Sequence, residues 1–335
     1  MSKATIKQVA EEAEVSTATV SRVLNESGYV SGEIKERVLD AINRLNYQPS
    51  AIARSLKQDK TFMIGIIVPD ISNPYFMGIS RGIEDMVGRE GFQLMFCSTD
   101  ENPEKESRLL QLLHEKRVDA IVLATSGGND QAVKRLIDSG IPIVLVDRKL
   151  ESEEVGRRLD LVAEDNADGA SRLTSKLLQD GHVRIGVVNG PGRVSTGRER
   201  YEGVLQAMRE HGLKPDPLVF NGDFSTDDGT RAVRKFLETE PKPTAIISLN
   251  NQMSLGVLLE IVRSGLRIPD DMAIASFGEV EAGLLLKNPG LYYIDQHPYD
   301  MGKKAGDILL RRIRKEEVPL EPAVEIFRND INRIS

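Results

Sequence analysis

Thr5–Asn25, TIKQVAEEAEVSTATVSRVLN, spaces its apolar side chains as two short helices joined by a tight turn. Ile6, Val9, Ala10 and Ala13 share one face of the first helix, and Thr5 is placed as its N-cap. Val15, Val20, Val23 and Leu24 form a second stripe, and Ser16 is placed to accept from the amides of a helix beginning at Thr17. Neither helix is long enough to persist alone. The outward side of the second carries Thr17, Ala18, Ser21, Arg22 and Asn25, small or hydrogen-bonding groups near its N-terminus. A helix that enters the DNA major groove needs that surface, because hydroxyls and amides hold phosphates and an arginine pairs with guanine O6 and N7. A plain helical hairpin at the edge of a larger domain would share the same apolar pattern.

The next segment strengthens the first reading. After a turn at Gly28 and a candidate cap at Ser31, a third helix from about Glu33 to Leu45 places Ile34, Val38, Leu39, Ile42 and Leu45 on one face, enough to close a three-helix core. Pro49 forbids its continuation and restricts Gln48 to extended geometry. Ser50 to Lys57 has room for about two turns of helix before a polar linker ending at Lys60, and carries Ile52, Ala53 and Leu56 beside Arg54 and Lys57. It reads as a linker helix or, more sharply, as a segment that pairs with its copy in a dimer and wedges Leu56 into a minor-groove base step.

The chain has 335 residues, enough for two or three domains with real cores. No apolar run approaches the ~18 residues of a membrane span, and the N-terminus lacks an apolar signal region, which places the protein in the cytoplasm. Cys97 is the single cysteine and lies in an apolar run, so a buried structural role is expected. The net charge of −7 disfavours a generic polyanion binder. Residues 1–60 hold 9 Lys+Arg against 8 Asp+Glu, so DNA affinity there would come from where charge sits: Glu11, Glu12 and Glu14 lie on the first helix, Arg22 on the second.

Three segments carry a resemblance: TIKQVAEEAEVSTATVSRVLN, VSGEIKERVLDAINRLNYQPSAIARSL and IGIIVPDISNPYFMGISRGIED. The chain resembles the LacI/GalR family of transcription regulators over essentially its whole length. The resemblance implies bases read by Thr17, Ala18 and Arg22, phosphates held by Thr5, Ser16, Thr19, Ser21, Asn25, Ser31 and Tyr47, and a hinge contact through Ala53 and Leu56.

Beyond Thr61 the pattern becomes alternating apolar runs and amphipathic helices. Strands are expected at Met63–Val68, Leu94–Ser98, Ala120–Ala124 and Ile143–Asp147, then in a second series at Leu161–Ala163, Ile185–Asn189, Leu218–Asn221, Ala245–Leu249 and Ala273–Phe277. Alternation implies parallel sheets, and the repetition implies two similar halves that bind ligand at their strand ends. The resemblance implies three crossings between lobes, near Asp160, Asp295 and Pro322. The expected class is α/β, with an all-α helix-turn-helix domain (1–48), a hinge helix and linker (49–60) and a two-lobed periplasmic-binding-protein-like domain of two parallel-sheet α/β subdomains (61–335). The first lobe takes about 61–160 and 295–321, the second about 161–294 and 322–335.

Strand ends supply the candidate effector residues: Tyr75 and Phe76, Asp147 and Arg148, Thr196 and Arg200, Phe224, Asn250 and Gln296. Aromatic faces cover the C–H surface of a polyhydroxylated ring while charged and amide groups take its hydroxyls, and the matching family positions line an effector pocket. Gly278 and Val194 depart from the family pattern and argue against the usual sugar identity, leaving a modified sugar, a sugar acid paired with Arg148 or Arg200, and a sugar phosphate open.

Enzyme readings find little support. No G-x-G-x-x-G follows the first strand, the Gly192–Gly197 loop lacks the Lys and Ser/Thr of a phosphate loop, and His114, His182, His211 and His297 form no metal spacing. Asp223, Asp227 and Asp228 read as helix capping. The expectation is therefore a non-enzymatic, cofactor-free repressor that binds double-stranded operator DNA of pseudo-palindromic sequence and responds to a sugar-like effector. Only Asn329–Ser335 follow the last strand, with no leucine heptads, which favours a homodimer over a tetramer. The rival is a cytoplasmic sugar-binding protein or enzyme whose N-terminal helices do not read DNA.

Overall fold

The computed structural model describes residues 4–24, 27–47, 60–315 and 321–334, so Asn25, Ala53, Leu56 and the expected hinge lie outside the described residues. The chain forms two units, Met1–Thr61 and Phe62–Ser335.

In the first unit, α1 (Ile6–Glu12), α2 (Thr17–Leu24) and α3 (Gly32–Arg44) enclose Val9, Ala10, Ala13, Val20, Val23, Val38 and Ala41. Thr5 opens α1 with a capping box: its hydroxyl accepts from the Gln8 amide and its own amide donates to Gln8 Oε1 at 2.8 Å. Glu14 turns the chain with a left-handed φ of +54°, after which Ser16 Oγ accepts from the Thr19 amide at 3.1 Å. Two expectations need correction. Ser31 occupies the N-cap position of α3 but its side chain makes no capping bond, and Leu39 is 44% exposed while Ala41 takes the inward position.

The second unit contains two six-stranded sheets. The first has the order β11-β5-β4-β3-β1-β2, formed by β1 (Met63–Val68), β2 (Gln93–Ser98), β3 (Ala120–Leu123), β4 (Ile143–Val146), β5 (Asp160–Glu164) and β11 (Val324–Phe327). The second has the order β12-β10-β9-β8-β6-β7, formed by β6 (Ile185–Asn189), β7 (Leu218–Asn221), β8 (Ala245–Ser248), β9 (Ala273–Ser276), β10 (Leu291–Asp295) and β12 (Asp330–Ile334). All pairings are parallel except β10–β12. Both faces of each sheet are covered, so neighbouring strand residues enter opposite cores: Ile64, Ile66 and Val68 face one, Ile67 the other. That is why these strands read as continuous apolar runs.

The lobe boundaries differ from expectation. β5 pairs with β4, so Leu161–Ala163 closes the first series instead of opening the second, and the chain crosses after Glu164. Asp160 is a first-lobe bracket. It accepts two bonds from Arg312, at 2.8 and 2.7 Å, and one from the Ala323 amide at 2.8 Å. The last crossing falls between Phe327 and Asp330, beyond Pro322, and residues expected to trail the last strand form β12 against β10.

Helices α4 (Pro74–Val87) and α12 (Pro298–Arg314) pack backbone to backbone in the first lobe. A Cβ at Gly302 would lie 2.0 Å from the Ile79 carbonyl oxygen. Gly302→Ala is expected to destabilise the chain by about 1–3 kcal/mol through overpacking, lowering Tm by about 2–4 °C per kcal/mol. An unchanged melting curve would refute that packing.

Candidate functional site

Two sites emerge, one in each unit. On the helix-turn-helix unit, Ser16, Thr17, Ala18 and Arg22 are exposed along the start and middle of α2, with Thr19 and Ser21 half-buried. Ser16 Oγ and Thr19 Oγ1 lie 2.9 Å apart. Thr5 is exposed with its hydroxyl engaged in the cap of α1, and Tyr47 is half-buried against the three-helix core. The exposed face therefore combines small side chains with one guanidinium, an arrangement that lets a helix approach closely along a groove.

In the second unit, all nine candidate effector residues line one cavity between the sheets: Tyr75, Phe76, Asp147, Arg148, Thr196, Arg200, Phe224, Asn250 and Gln296. Asn73, Asn251 and Phe277 complete it, and about 10 Å³ remains between them, room for about one water. An outer hollow of about 360 Å³ shares Tyr75, Asn251 and Gln296 and extends past Leu255 and Glu279, within the size range of small-molecule clefts.

Strand ends place the charged groups. Asp147 follows β4 with φ +63°, and Tyr75 at the start of α4 donates to Asp147 Oδ1 at 3.1 Å. Burial, then the neighbouring carboxylates Asp147 and Glu164, push the Tyr75 hydroxyl well above its ordinary range, so it remains a donor. Arg148 is buried and gives both terminal nitrogens to Glu101, at 2.6 and 2.8 Å, and Nη1 also to the Thr125 carbonyl at 3.0 Å. Phe76 of one lobe and Phe224 of the other flank its guanidinium, with ring centres at 5.9 and 5.1 Å. Arg200, also buried, donates to Asn166 Oδ1 at 2.8 Å and the Leu249 carbonyl at 3.0 Å, lies 3.7 Å from both Asp147 and Glu164, and sits 3.9 Å from the Phe277 ring centre.

Glu164 joins the three crossings. It precedes the first, accepts from Gln296 at the second at 2.5 Å, and accepts from Asn329 at the third at 2.8 Å. Burial raises its pKa to about 7, against the opposing pull of Arg200. Other bonds close the lobes across the cavity. Asn73 and Asn251 exchange side-chain bonds at 2.9 and 3.3 Å, the Lys149 amide donates to Ser195 Oγ at 2.9 Å, and Arg193 donates to the Glu101 carbonyl at 3.0 Å.

The structure also qualifies individual residues. Asn250 spends its side-chain oxygen capping α11 (Asn251–Arg263), where it accepts from the Gln252 and Met253 amides. Phe224 belongs to the second-lobe core and to the cavity at once. Gly278 has φ +107°, and a Cβ there would meet Gln296 Oε1 at 2.6 Å, so its glycine makes room for the amide that binds Glu164. Val194 is core. Cys97 is buried and burial raises its thiol pKa. Asp228 forms a capping box with Ser225 at α10 (Thr226–Leu237). Glu101, Glu164, Asn166 and Asn329 are absent from the candidates that the sequence supplies. Glu101, Asn166 and Asn329 lie in polar stretches without periodicity, whereas Glu164 directly follows the apolar run Leu161–Ala163 and its strand-end position is a usable signal; Asn73 sits inside a motif already singled out.

Residues 5–50 match the bacterial regulatory proteins of the lacI family, and residues 61–325 match the periplasmic binding proteins and sugar binding domain of the LacI family. The chain belongs to the LacI family of bacterial regulatory proteins. This LacI-family chain is a DNA-binding transcriptional regulator. It is 39% identical over 312 residues to the ribose operon repressor of Halalkalibacterium halodurans, covering 93% of this chain and 91% of that one. With the HTH-type transcriptional repressor PurR of Aliivibrio salmonicida it shares 36% over 313 residues, with coverage of 93% and 92%. Among solved structures, the transcriptional regulator CelR–cellobiose complex is 28% identical at a TM-score of 0.73, covering 98% and 99%. No helix among the described residues of this LacI-family regulator is long and apolar enough to cross a membrane, and no group of three or more His, Cys, Asp or Glu among them could hold a metal ion.

The raised pKa of Glu164 makes stability depend on pH. The folded chain binds this proton more tightly than the unfolded one, so stability is full below about 4.5 and falls as pH rises through about 7. The loss is on the order of 3 kcal/mol at its limit. Glu164→Gln is expected to gain on the wild type in urea unfolding between pH 5 and pH 8; parallel curves would contradict this.

Proposed function

We propose that this regulator is a homodimeric repressor whose hold on a pseudo-palindromic operator is set by a sugar-like effector bound between the two lobes. One observation carries the effector reading. Thr196 of the second lobe and Arg148 of the first both line the cavity, and Thr196 Oγ1 and Arg148 Nε are buried without a hydrogen bond, Nε lying 3.5 Å from Asp147 Oδ2. Buried polar atoms without hydrogen bonds are costly, and two of them on residues that line one space from opposite lobes suit a ligand rich in hydroxyls. Asp147, Arg200 and Gln296 add acceptors and donors, and Tyr75, Phe76 and Phe224 add aromatic faces for the C–H surface of a ring. The names of the relatives, a ribose operon repressor and a regulator bound to cellobiose, favour the same ligand class.

Entry of a ligand must exchange interlobe bonds such as Asn73–Asn251 and Lys149–Ser195 for contacts with the ligand. The ligand then shifts the balance between lobe arrangements by its differential affinity for them, and a coupling of about 1–3 kcal/mol is ordinary for such a device. In the first unit, Thr17, Ala18 and Arg22 would read base edges. Thr5, Ser16, Thr19, Ser21, Asn25, Ser31 and Tyr47 would position phosphates, and Ala53 and Leu56 would act at the centre of the site. The regulator works without catalysis and in the cytoplasm.

The test is duplex selection by the full-length protein from a random pool, followed by binding with and without a panel of free sugars. A palindromic consensus is expected, with log K falling against log salt at about −0.9 per phosphate neutralised. Arg22→Ala should cost about 1–3 kcal/mol on that consensus. Arg200→Ala should keep operator binding and lose any response to sugar. Equal affinity for all duplexes would remove the operator reading; a full sugar response in the Arg200 variant would remove the cleft reading.

A further inference from the structure

We propose that Glu101 is a specificity-determining residue that reserves the cleft for uncharged polyhydroxylated ligands by holding Arg148 in a bidentate pair, so that a ligand carboxylate or phosphate finds no guanidinium to bind. The inference rests on the reading of the cleft as the effector site and narrows it, since modified sugar, sugar acid and sugar phosphate all begin as candidates.

The first support is the pairing itself. Arg148 Nη2 donates to Glu101 Oε1 at 2.6 Å and Nη1 to Oε2 at 2.8 Å, the fork that a ligand anion would otherwise take. Nη1 is further used by the Thr125 carbonyl, so Nε is the nitrogen left without a hydrogen bond, 3.5 Å from Asp147 Oδ2. One N–H suits a hydroxyl or ring oxygen and offers no fork. The second support is burial. The Arg148 and Glu101 side chains are 3% and 12% exposed, and Phe76 and Phe224 cover the guanidinium from the two lobes. A ligand anion would have to displace a shielded carboxylate and then make the same pair.

Backbone geometry holds Glu101 in place. Asp100 and Glu101 are consecutive non-glycine residues with φ of +54° and +56°, an uncommon conformation that surrounding bonds must maintain. The Asp100 amide donates to the Pro69 carbonyl at 2.7 Å, its carboxylate accepts from Ser98 and Lys105, and Arg193 of the opposite lobe grips the Glu101 carbonyl. Charge points the same way. Glu101, Asp147 and Glu164 surround the two guanidiniums Arg148 and Arg200, with Glu106 bound to Thr125 just behind Arg148. Arg200 gives Nε to Asn166 and Nη1 to the Leu249 carbonyl, and its Nη2 lies 3.7 Å from the carboxylates of Asp147 and Glu164, so its charge is already matched and a ligand anion would compete with two buried carboxylates. Neutral hydroxyls carry no such penalty.

The probe is inorganic phosphate, titrated into full-length wild type, Glu101→Gln, Glu101→Ala and the double variant Glu101→Gln/Arg148→Gln, at constant ionic strength balanced with chloride. Thermal unfolding should show no saturable protection of the wild type or the double variant. Both single variants should gain protection, of about 3 °C at ten times the dissociation constant. Two results would overturn the proposal: protection of the wild type equal to that of the single variants, or single variants no more responsive than the double one. The wild type alone gives a second reading that needs no variant to fold. Any free sugar that protects it should bind at least tenfold tighter than its phosphorylated counterpart, and the opposite order would overturn the proposal. Failure of the effector reading looks different: no free sugar protects the wild type, while phosphate still separates the single variants from the double one.

Discussion

The carboxylate of Glu164 lies where the chain passes for the first time from one lobe to the other, and it accepts the side-chain amides of Gln296 and Asn329 from the second and third passages. Three strands of chain that could bend independently are thereby tied to one buried group. Any relative movement of the lobes must turn about this point or break it. Burial makes the tie sensitive to protonation, because desolvation raises the pKa of this carboxyl while Arg200 and the two amide donors pull it down.

From that tie outward, the lobes meet as two sets of strand ends. Each lobe brings a guanidinium, and each guanidinium finds its strongest partners in residues that no strand pattern marks: Glu101 for Arg148, Asn166 for Arg200. Three of the left-handed non-glycine residues, Glu101, Asp147 and Phe224, lie against Arg148. Such backbone costs on the order of 1–3 kcal/mol per residue and persists where neighbouring contacts over-determine it. Here it turns side chains inward at strand ends, toward a space between sheets that would otherwise close on apolar atoms.

Much of the architecture was legible before folding is considered. Helix pairs in the first unit follow from caps and spacing at Thr5 and Ser16, and nine of the twelve strands among the described residues follow from apolar runs that sheets covered on both faces require. The misses have physical causes. Leu161–Ala163 is too short a run to say which sheet it joins, and only pairing with β4 decides. β10, β11 and β12 lie at or next to sheet edges and are short, half-exposed segments with polar residues among the apolar ones, so their signal is weak. The crossings near Asp160 and Pro322 rest on the family resemblance alone, yet Asp160 is bound by Arg312 inside the first lobe.

For the cleft, strand-end reasoning located nine residues that line one cavity, since the end of a parallel strand is where side chains leave the sheet. It could not supply their partners. By itself the sequence determined the helix-turn-helix face, the doubled sheet architecture and the set of aromatic and charged groups brought to the cleft, because caps, periodicity and strand ends are local properties. Tertiary structure alone decided which carboxylate each arginine holds, where the chain crosses between lobes, and that Glu164 joins those crossings. These depend on residues far apart in the chain, and the strength of a charge pair is set by the burial that only the closed lobes create.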